Sequence, residues 1–166
     1  MPSSPRLDSI DLSLVELLQA DGRRPYADLG AAVGISGPSV HERVKKLEAR
    51  GVIEGYTAIV RPEALGYGVL AFIWLTQAPG TAGHDLTEAF AQFTEIEECH
   101  HIAGEADYLL KIRARDTRDL ERVLKRLQTT PDVFSTETDV VLSSAFERRS
   151  RRPAAAPDET DSAGEA

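Results

Sequence analysis

The sequence predicts an α+β protein in which an N-terminal winged helix-turn-helix is followed by a ferredoxin-like βαββαβ domain. Residues 7–60 contain three successive amphipathic helix patterns, and a three-residue turn separates the last two. Residues 68–146 alternate strand-like and helix-like segments, with the same apolar spacing in both helices. Residues 61–67, which contain Pro and Gly, are expected to form the linker between the two domains.

The first helix is predicted to begin after Asp8, whose side chain is a good N-cap, and to end before Gly22. A second, shorter helix is predicted at Tyr26–Val33. Its start is poorly signalled, and Gly30 inside it costs about 1 kcal/mol relative to Ala. The apolar face of the first helix consists of Ile10, Leu14, Leu17 and Leu18.

The third helix has the clearest boundaries in the chain. Ser36 is its predicted N-cap, Pro38 occupies the first turn, and Gly51 provides a left-handed stop. Only residues 34–36 separate it from the second helix, so the two must cross steeply, as in a helix-turn-helix. A β-like run, Ile53–Val60, then leaves the domain. The predicted buried stripe of this helix is Val40, Val44 and Leu47.

Strands and helices alternate in the second half of the chain. A helix is predicted at Asp85–Phe93, and a second helix is expected to start with Thr117 as its N-cap. Together with four strands they give the order βαββαβ, which predicts one antiparallel sheet with both helices on one face. The predicted strands are Val69–Thr76, Ile96–Ile102, Tyr108–Ala114 and Val133–Leu142.

The first predicted strand is apolar on both faces, although helices can cover only one of them. Exposure of Leu70, Phe72 and Trp74, or of the opposite set, would leave an apolar patch of roughly several hundred Å², which monomers seldom show. Covering such a face stabilises by several kcal/mol, at about 25 cal/mol per Å². We therefore expect the open face to meet the sheet of another subunit, which makes the protein at least a dimer.

The net charge of −8 does not exclude binding to DNA, because the charge is unevenly distributed. Residues 1–62 carry eight Lys/Arg and eight Asp/Glu, whereas residues 63–146 carry seven and fourteen. Affinity for DNA depends on local cations that displace counterions, not on the charge of the whole chain. The overall acidity argues only against indiscriminate binding.

The exposed face of the third helix has the composition expected of a recognition helix. Residues 37–50 hold four cations and two acids, and the helix opens with small residues. The opening residues Ser36, Gly37 and Ser39 lie at the positive end of the helix, where N–H groups can bind phosphate. We expect Ser39, His41 and Glu42 to approach base edges and Arg43, Lys45 and Lys46 to hold phosphates. The alternative is a solvated helix face in a protein–protein module.

Other features exclude several classes of protein. The single cysteine, Cys99, cannot form an internal disulfide, and His100 and His101 should point to opposite faces of a strand, so they cannot chelate one ion. We find no catalytic nucleophile–base pair and no phosphate loop, so no enzyme activity and no cofactor are expected. The chain has no apolar run of about 18 residues and no signal-peptide core, which predicts a cytoplasmic protein.

Residues 147–166, with an arginine cluster at 148–152, are expected to be a disordered tail.

Several strings of residues resemble the Lrp/AsnC family of bacterial and archaeal regulators. They include Leu7-Asp8, Asp21-Gly22-Arg23, Gly34-Ile35-Ser36, Gly51-Val52-Ile53 and residues 103–110 (AGEADYLL). The resemblance covers about Leu7 to Phe146 and implies an effector-sensing second domain. It also implies homodimers that pair through their sheets and often assemble into octamers, bind imperfect palindromes of double-stranded DNA, and respond to amino acids or related small molecules lodged between dimers.

The resemblance places the loop Gly104–Asp107 beside the effector pocket. Its N–H groups could bind a carboxylate, and Asp107 could face an ammonium group. The alternative is that Gly104 only permits a tight turn and Asp107 caps it locally. The family often has a hydroxyl residue where Ala103 stands, which bears on the class of ligand. The predicted effector-binding residues are Ala103, Gly104, Ala106, Asp107, Thr136 and Thr138.

Two other functions fit the same architecture. Siroheme decarboxylases resemble the family in both domains and use histidines on a tetrapyrrole, which would give His100 and His101 a role. An architectural protein that wraps DNA without any effector is the other alternative. The intact recognition-helix pattern favours a DNA-binding regulator that responds to an effector.

Overall fold

The computed structural model describes residues 7–81 and 83–147, which divide into two compact units. The first unit comprises residues 7–58 with 146–147, and the second comprises residues 59–145. The arginine cluster of the predicted tail, 148–152, lies outside the described residues.

The first unit is a helix-turn-helix built from α1 (Ser9–Ala20), α2 (Tyr26–Val33) and α3 (Gly37–Ala49). The predicted caps are confirmed. The Asp8 side chain accepts a hydrogen bond from the Asp11 N–H at 2.8 Å, and Ser36 Oγ accepts one from the Ser39 N–H at 3.3 Å. Gly51 has a φ of +68°, and the Val52 N–H after it donates back to the Leu47 carbonyl at 2.9 Å. The helix boundaries therefore follow from local hydrogen bonding.

The core of this unit is a small apolar cluster to which all three helices contribute. The predicted inner stripe of α3 is fully buried. In α1, by contrast, Ile10 and Leu17 are only half-buried, and the charged Asp11 is buried at 8 % exposure. The buried members of the cluster are Leu14, Leu18, Leu29, Val40 and Val44.

The predicted β-like run Ile53–Val60 does not form a strand, and this part of the prediction is wrong. Residues 54–60 have no regular secondary structure, and the first unit contains no strand among its described residues, 7–58 and 146–147. A strand needs a neighbour with which to exchange backbone hydrogen bonds, and the run has none among residues 7–81 and 83–147 of this chain. These residues therefore form a helix-turn-helix without a paired wing strand. A single 3-10 turn, Pro62–Leu65, follows in the predicted linker.

The second unit has the predicted βαββαβ order and a four-stranded antiparallel sheet. The strand order is β2-β3-β1-β4, with α4 and α5 as the two helices. The predicted class, α+β with a helix-turn-helix before a ferredoxin-like sheet, is confirmed. The elements are β1 (Val69–Gln77), α4 (Thr87–Phe90), β2 (Ile96–His101), β3 (Tyr108–Ala114), α5 (Thr117–Gln128) and β4 (Val133–Val140).

Five element boundaries differ from the predictions, two of them by a single residue, because β1 ends at Gln77 and β2 at His101. The helix predicted at Asp85–Phe93 is a single turn, because the Gln92 and Phe93 N–H groups bond three residues back and tighten the chain into a turn. Asp116, not Thr117, is the N-cap of α5, since its carboxylate accepts the Asp119 N–H at 2.7 Å. The last strand ends at Val140, the final residue paired with β1.

The core of the second unit lies between one face of the sheet and the two helices. Alternate residues of β1 and β3 face it, as the period of a strand requires. Ala71, Ile73 and Leu75 of β1 are fully buried, so the opposite set, Leu70, Phe72 and Trp74, lies on the open face. The other large buried members of this core are Phe90, Leu110, Ile112, Val123 and Leu127.

Candidate nucleic-acid interface and effector loop

The outer face of α3 is exposed as predicted, because Val40, Val44 and Leu47 point into the core. Gly37 alone among the outward residues of the first turn is half-buried. A Cβ on Gly37 would lie 3.7 Å from the Ala27 Cα atom of α2, an ordinary contact. The exposed residues of this face are Pro38, Ser39, His41, Glu42, Lys45 and Lys46.

The N-terminus of α3 is closed by two serines that share a hydrogen bond. Ser36 Oγ and Ser39 Oγ lie 2.8 Å apart, and Ser36 also caps the Ser39 N–H. Both side chains are therefore held at the end of the helix where N–H groups point outward. An incoming phosphate would meet these N–H groups together with two oriented hydroxyls.

His41 is positioned by a residue of the preceding helix. Its ring centroid lies 5.5 Å from that of Tyr26, with the rings tilted at 43°. The Glu42 carboxylate is 4.0 Å from His41 Nδ1, and both side chains are more than half exposed. The two predicted base-contacting side chains thus lie beside each other on the open surface, with His41 packed on Tyr26.

Arg43 has intramolecular partners that the sequence analysis did not anticipate. Its Nη1 atom donates to Asp8 Oδ2 and to Asp11 Oδ1, each at 2.7 Å. These carboxylates raise the pKa of Arg43, the Asp8 hydrogen bond most of all. The pKa of Asp8 is lowered in turn, first by the Asp11 N–H and then by Arg43. Lys45 and Lys46, by contrast, are exposed.

A groove of about 510 Å³ runs along α3 beside α1. Arg43 and its partner Asp11 are part of the lining, and so are Ser39 and Glu42, two of the predicted base-contacting residues. Side chains from both helices line it, including Asp11, Ser39, Glu42, Arg43, Lys46 and Arg50.

The loop between β2 and β3 is closed by Asp107. Its N–H donates to the Leu75 carbonyl at 2.9 Å, and its carboxylate accepts the Gln77 N–H at 2.7 Å. Asp107 therefore ties this loop to the end of β1, a long-range contact that differs from the local cap considered in the sequence, and Gln77 occupies one of its carboxylate oxygens. Ala103 and Gly104 are exposed and Ala106 is half-buried. A Cβ on Gly104 would meet no atom within 4 Å, so this turn does not require glycine.

Thr136 and Thr138 lie on the helix-covered face of the sheet. They pair with Leu75 and Ile73, whose side chains are in the core. Thr136 Oγ1 accepts a hydrogen bond from Gln128 Nε2 of α5 at 3.1 Å. Asp107 and Thr136 are thus at the same end of the sheet, but β1 lies between them, and two strand spacings amount to about 10 Å. The structure does not bring these predicted effector residues into one cluster.

A cavity of about 310 Å³ near this end of the sheet was missed by the sequence analysis. His101 lines it and stacks on Tyr108, with ring centroids 4.8 Å apart. His84, another lining residue, has its Nδ1 atom 3.0 Å from Asp132 Oδ2. Thr87 hydrogen bonds lower the pKa of the Asp85 carboxyl, which also lines the cavity. These residues come from separate parts of the chain, so no local sequence motif predicts that they line one cavity.

The histidine doublet has the predicted geometry. His101 pairs with the buried Tyr108 and lies on its side of the sheet, whereas His100 pairs with Leu109 and lies on the other. His100 Nε2 is 3.2 Å from Glu98 Oε2. No group of three or more His, Cys, Asp or Glu suited to a metal ion occurs within residues 7–81 and 83–147. Cys99 is partly buried against the core, and this burial raises the pKa of its thiol.

The open face of the sheet is less apolar than predicted. Leu70 is buried, Phe72 is half-buried, and Trp74 is 37 % exposed. Trp74 Nε1 donates to Asp139 Oδ2 of β4 at 2.9 Å. The indole therefore presents its ring at the surface while its polar atom is bound within the sheet.

Ion pairs cover the neighbouring part of this face. Lys111 Nζ lies 3.3 Å from Glu97 and 3.0 Å from Glu98, and Arg113 Nε lies 3.4 Å from Glu97. Lys111 and Arg113 are themselves buried. The Lys111 hydrogen bond lowers the pKa of Glu98. The open face thus combines an apolar strip on β1 with a charged strip on β2 and β3.

Within the described residues, no helix is both long and apolar enough to cross a membrane.

Comparison with known proteins defines the class of this chain. Residues 7–48 match the model of the AsnC-type helix-turn-helix domain, and residues 70–151 match that of the Lrp/AsnC ligand binding domain. A helix-turn-helix joined to such a domain defines a DNA-binding transcriptional regulator. The chain belongs to the Lrp/AsnC family, which confirms the resemblance found in the sequence.

Curated relatives cover most of the chain. It is 37 % identical over 147 residues to the HTH-type transcriptional regulator LrpA of Mycobacterium tuberculosis, covering 89 % of this chain and 97 % of that protein. It is 36 % identical over 138 residues to the HTH-type transcriptional regulator FL11 of Pyrococcus horikoshii, with coverages of 83 % and 91 %. It is 37 % identical over 139 residues to the leucine-responsive regulatory protein of Klebsiella pneumoniae, with coverages of 82 % and 85 %.

Solved structures agree with these relatives. A feast or famine regulatory protein from M. tuberculosis, complexed with L-methionine, superposes with a TM-score of 0.82 at 37 % identity and covers 89 % of this chain and 100 % of that one. The AsnC structure from E. coli gives a TM-score of 0.80 at 30 % identity, with coverages of 90 % and 100 %.

Proposed function

We propose that this regulator binds an imperfect palindrome of double-stranded DNA as a homodimer, with α3 of each protomer in a major groove. The observation that carries the proposal is the exposed face of α3, which combines an oriented, capped N-terminus with two exposed lysines. Two recognition helices of a dimer match successive major grooves when they lie about 34 Å apart. Such a dimer binds DNA whose half-sites repeat with the symmetry of the protein.

The contacts divide by chemistry. Ser39, His41 and Glu42 approach base edges, and an exposed glutamate in this position favours a cytosine amino group. Lys45 and Lys46 bind phosphates without reading sequence. Ser36 and Gly37 open the helix, where N–H groups bind a further phosphate. These side chains are exposed or half-buried on a helix whose opposite face is in the core, which supports the assignment.

The dimer pairs through the open faces of the two sheets. Trp74 and Phe72 form a partly exposed apolar strip there, and an aromatic strip of this kind is typical of interface cores. Higher assembly, such as the octamers implied by the family resemblance, would add further contacts.

An amino acid or a related small molecule is the proposed effector, and it alters either the assembly of the dimers or their binding to DNA. A related structure complexed with L-methionine supports this class of ligand. The exposed loop with Ala103, Gly104 and Ala106 offers N–H groups to the effector carboxylate. Asp107 uses one carboxylate oxygen for Gln77, so an ammonium group would approach the other. Thr136 and Thr138 would contribute hydroxyls only if the ligand reached the helix side of the sheet.

The proposal assigns this chain no catalytic step, in agreement with relatives that are named as transcriptional regulators. It places the protein in the cytoplasm, where bacterial and archaeal DNA is found.

Selection of DNA fragments from the host genome by the purified full chain tests the proposal. We expect recovery of fragments with a shared, imperfectly palindromic sequence, and a raised Tm with at least one of the twenty amino acids, since a ligand that binds only the native state stabilises it. Retained fragments without any amino-acid effect would support the architectural alternative. A Soret band on addition of siroheme, together with no retained fragment, would support the enzyme alternative.

A further inference from the structure

Arg43 lies on α3 among the positions proposed to contact DNA, yet its guanidinium is engaged elsewhere. It is four residues after Ser39 and three before Lys46, so all three lie on neighbouring turns. Its Nη1 atom binds two carboxylates of the α1 region at 2.7 Å each. Because two carboxylates face one guanidinium, the cluster of Asp8, Asp11 and Arg43 has a net negative charge and does not attract a phosphate.

The two carboxylates are held firmly. Asp11 is 8 % exposed, and its Oδ1 atom accepts from Arg43. Asp8 uses one oxygen to cap α1 and the other to bind Arg43. The guanidinium therefore connects the N-terminal turn of α1 to the middle of α3 at two points.

This bridge has a directional property that the core contacts lack. Val40, Val44 and Leu47 hold α3 by apolar packing, which is not directional. Charge-assisted hydrogen bonds require a defined geometry of donor and acceptor. A bridge between side chains thus restricts rotation of α3 about its own axis. Such a rotation would move Ser39 and Glu42 relative to the base edges in the major groove of DNA.

We propose that Arg43 is a positioning residue that fixes the rotation of α3 against α1 and so sets which side chains meet the base edges. This inference rests on the proposed function, because it concerns how the same helix recognises DNA. It replaces the phosphate contact predicted for Arg43 from the sequence.

When the two carboxylates are neutralised, simple electrostatics predicts a different outcome from this proposal. Removing negative charges beside the DNA-binding face and releasing Arg43 would strengthen binding to every sequence. If Arg43 positions α3, the same change weakens discrimination between sequences. The two effects can be separated by measuring affinity for a specific and a nonspecific DNA.

The first experiment uses the double variant D8N/D11N of the full chain. Asparagine is as good an N-cap as aspartate, so the start of α1 is preserved. The control D28N/E54Q makes the same change in charge at exposed positions of the same unit, outside the bridge. Affinity is measured for a genomic fragment selected by the wild-type protein and for a scrambled duplex of equal length, at several salt concentrations.

We expect D8N/D11N to lower the ratio of specific to nonspecific affinity about tenfold, the scale of one mismatched base pair. In the control both affinities should change by the same factor. Equal tightening on both duplexes in D8N/D11N would overturn the proposal. A lower Tm with an unchanged ratio of specific to nonspecific affinity would also overturn it, because Arg43 would then only stabilise the fold.

The variant R43Q gives an independent test if D8N/D11N does not fold. We expect a lower specificity ratio and an unchanged dependence of nonspecific affinity on salt. A fall of about 0.9 in the slope of log affinity against log salt would show that Arg43 binds a phosphate, and the proposal would be wrong. If the wild-type protein selects no genomic fragment, the proposed function fails, and that outcome is distinct from either result with the variants.

Discussion

Gly30 lies so close to Ile35 that a Cβ atom on the glycine would stand 2.4 Å from the carbonyl oxygen of Ile35. The Gly30 carbonyl also accepts hydrogen bonds from the N–H groups of Gly34 and Ile35. The turn between α2 and α3 is therefore folded back onto α2 at a point where no side chain fits. The glycine that weakens α2 as an isolated helix is required by the helix-turn-helix.

The substitution Gly30→Ala should destabilise the protein. Alanine gains about 1 kcal/mol of helix propensity over glycine, whereas forcing a methyl group into a filled site costs typically about 1–3 kcal/mol. Since the clash is with backbone, we expect the loss to exceed the gain and the Tm to fall. Thermal unfolding followed by circular dichroism measures the change. Gly37→Ala is the control, because its Cβ would make only an ordinary contact at 3.7 Å; a Gly30→Ala protein as stable as this control would contradict the explanation.

Replacing Lys45 and Lys46 by alanine should weaken binding to all DNA sequences. Each lysine that neutralises one phosphate contributes about 0.9 to the slope of log affinity against log salt. The double variant is expected to lose roughly twice that slope, while its ratio of specific to nonspecific affinity stays near the wild-type value. Lys125→Ala is the control, because this lysine is an exposed residue of the other unit, paired with Glu121 at 2.6 Å. An unchanged slope in the double variant would mean that these lysines do not bind phosphate.

The stability of the second unit should decrease in acid through Asp119. This buried carboxylate accepts the Arg115 N–H and Nε–H, both at 3.0 Å, and the Arg115 bonds lower the pKa of Asp119 below its ordinary value. A carboxyl whose folded-state pKa is lowered stabilises the fold above the unfolded-state pKa of about 4. That stabilisation is lost as the pH falls through the folded-state pKa.

Urea unfolding at pH 7, 5 and 3 tests this dependence. Asp119→Asn should be less stable than wild type at pH 7 and should lose less stability between pH 5 and pH 3. Glu121→Gln is a suitable control, since Glu121 is paired only at the surface and its pKa is lowered by Lys125. Parallel curves for wild type and Asp119→Asn would exclude Asp119 as the source of acid sensitivity.

Introducing a charge at Trp74 should dissociate the proposed dimer. Trp74→Arg removes the indole from the apolar strip on the open sheet face and places a cation there. Burying that cation against a partner costs desolvation, even when the nearby Asp139 pairs with it. Sedimentation velocity should then show a shift from dimer or larger species to monomer. Leu65→Arg serves for comparison, because Leu65 is also exposed but lies in the 3-10 turn outside the sheet. Dissociation by both variants, or by neither, would argue against a sheet-to-sheet dimer.

The sequence predicted those parts of the fold that local interactions determine. The boundaries of α2 and the N-terminus of α3 agree with the prediction because Gly34 and Ser36 provide the necessary stop and cap within a few residues. The predicted strands agree with β1 to β4 to within about two residues at each end. α4 was overestimated because the apolar spacing of Leu86, Phe90 and Phe93 persists through a tight turn that is not helical.

Contacts between distant residues account for what was missed at the candidate site. Arg43 and Asp8 are 35 residues apart, and no local pattern indicates that they pair. The same is true of Asp107, whose carboxylate binds the Gln77 N–H from 30 residues away. The exposed face of α3 could be predicted because a helix that buries one stripe must expose the other. Which cations of α3 bind carboxylates of this chain, as Arg43 does, depends on the tertiary fold and cannot be predicted from the helix pattern alone.

Asp8 gives its two carboxylate oxygens to different helices, one to the first turn of α1 and one to Arg43 on α3. Fraying of the N-terminal turn of α1 therefore also removes a partner of Arg43, and the motions of the two helices are correlated through one side chain. Hydrogen exchange at the beginning of α1 should consequently report on the order of α3, even though the two segments are far apart in the chain.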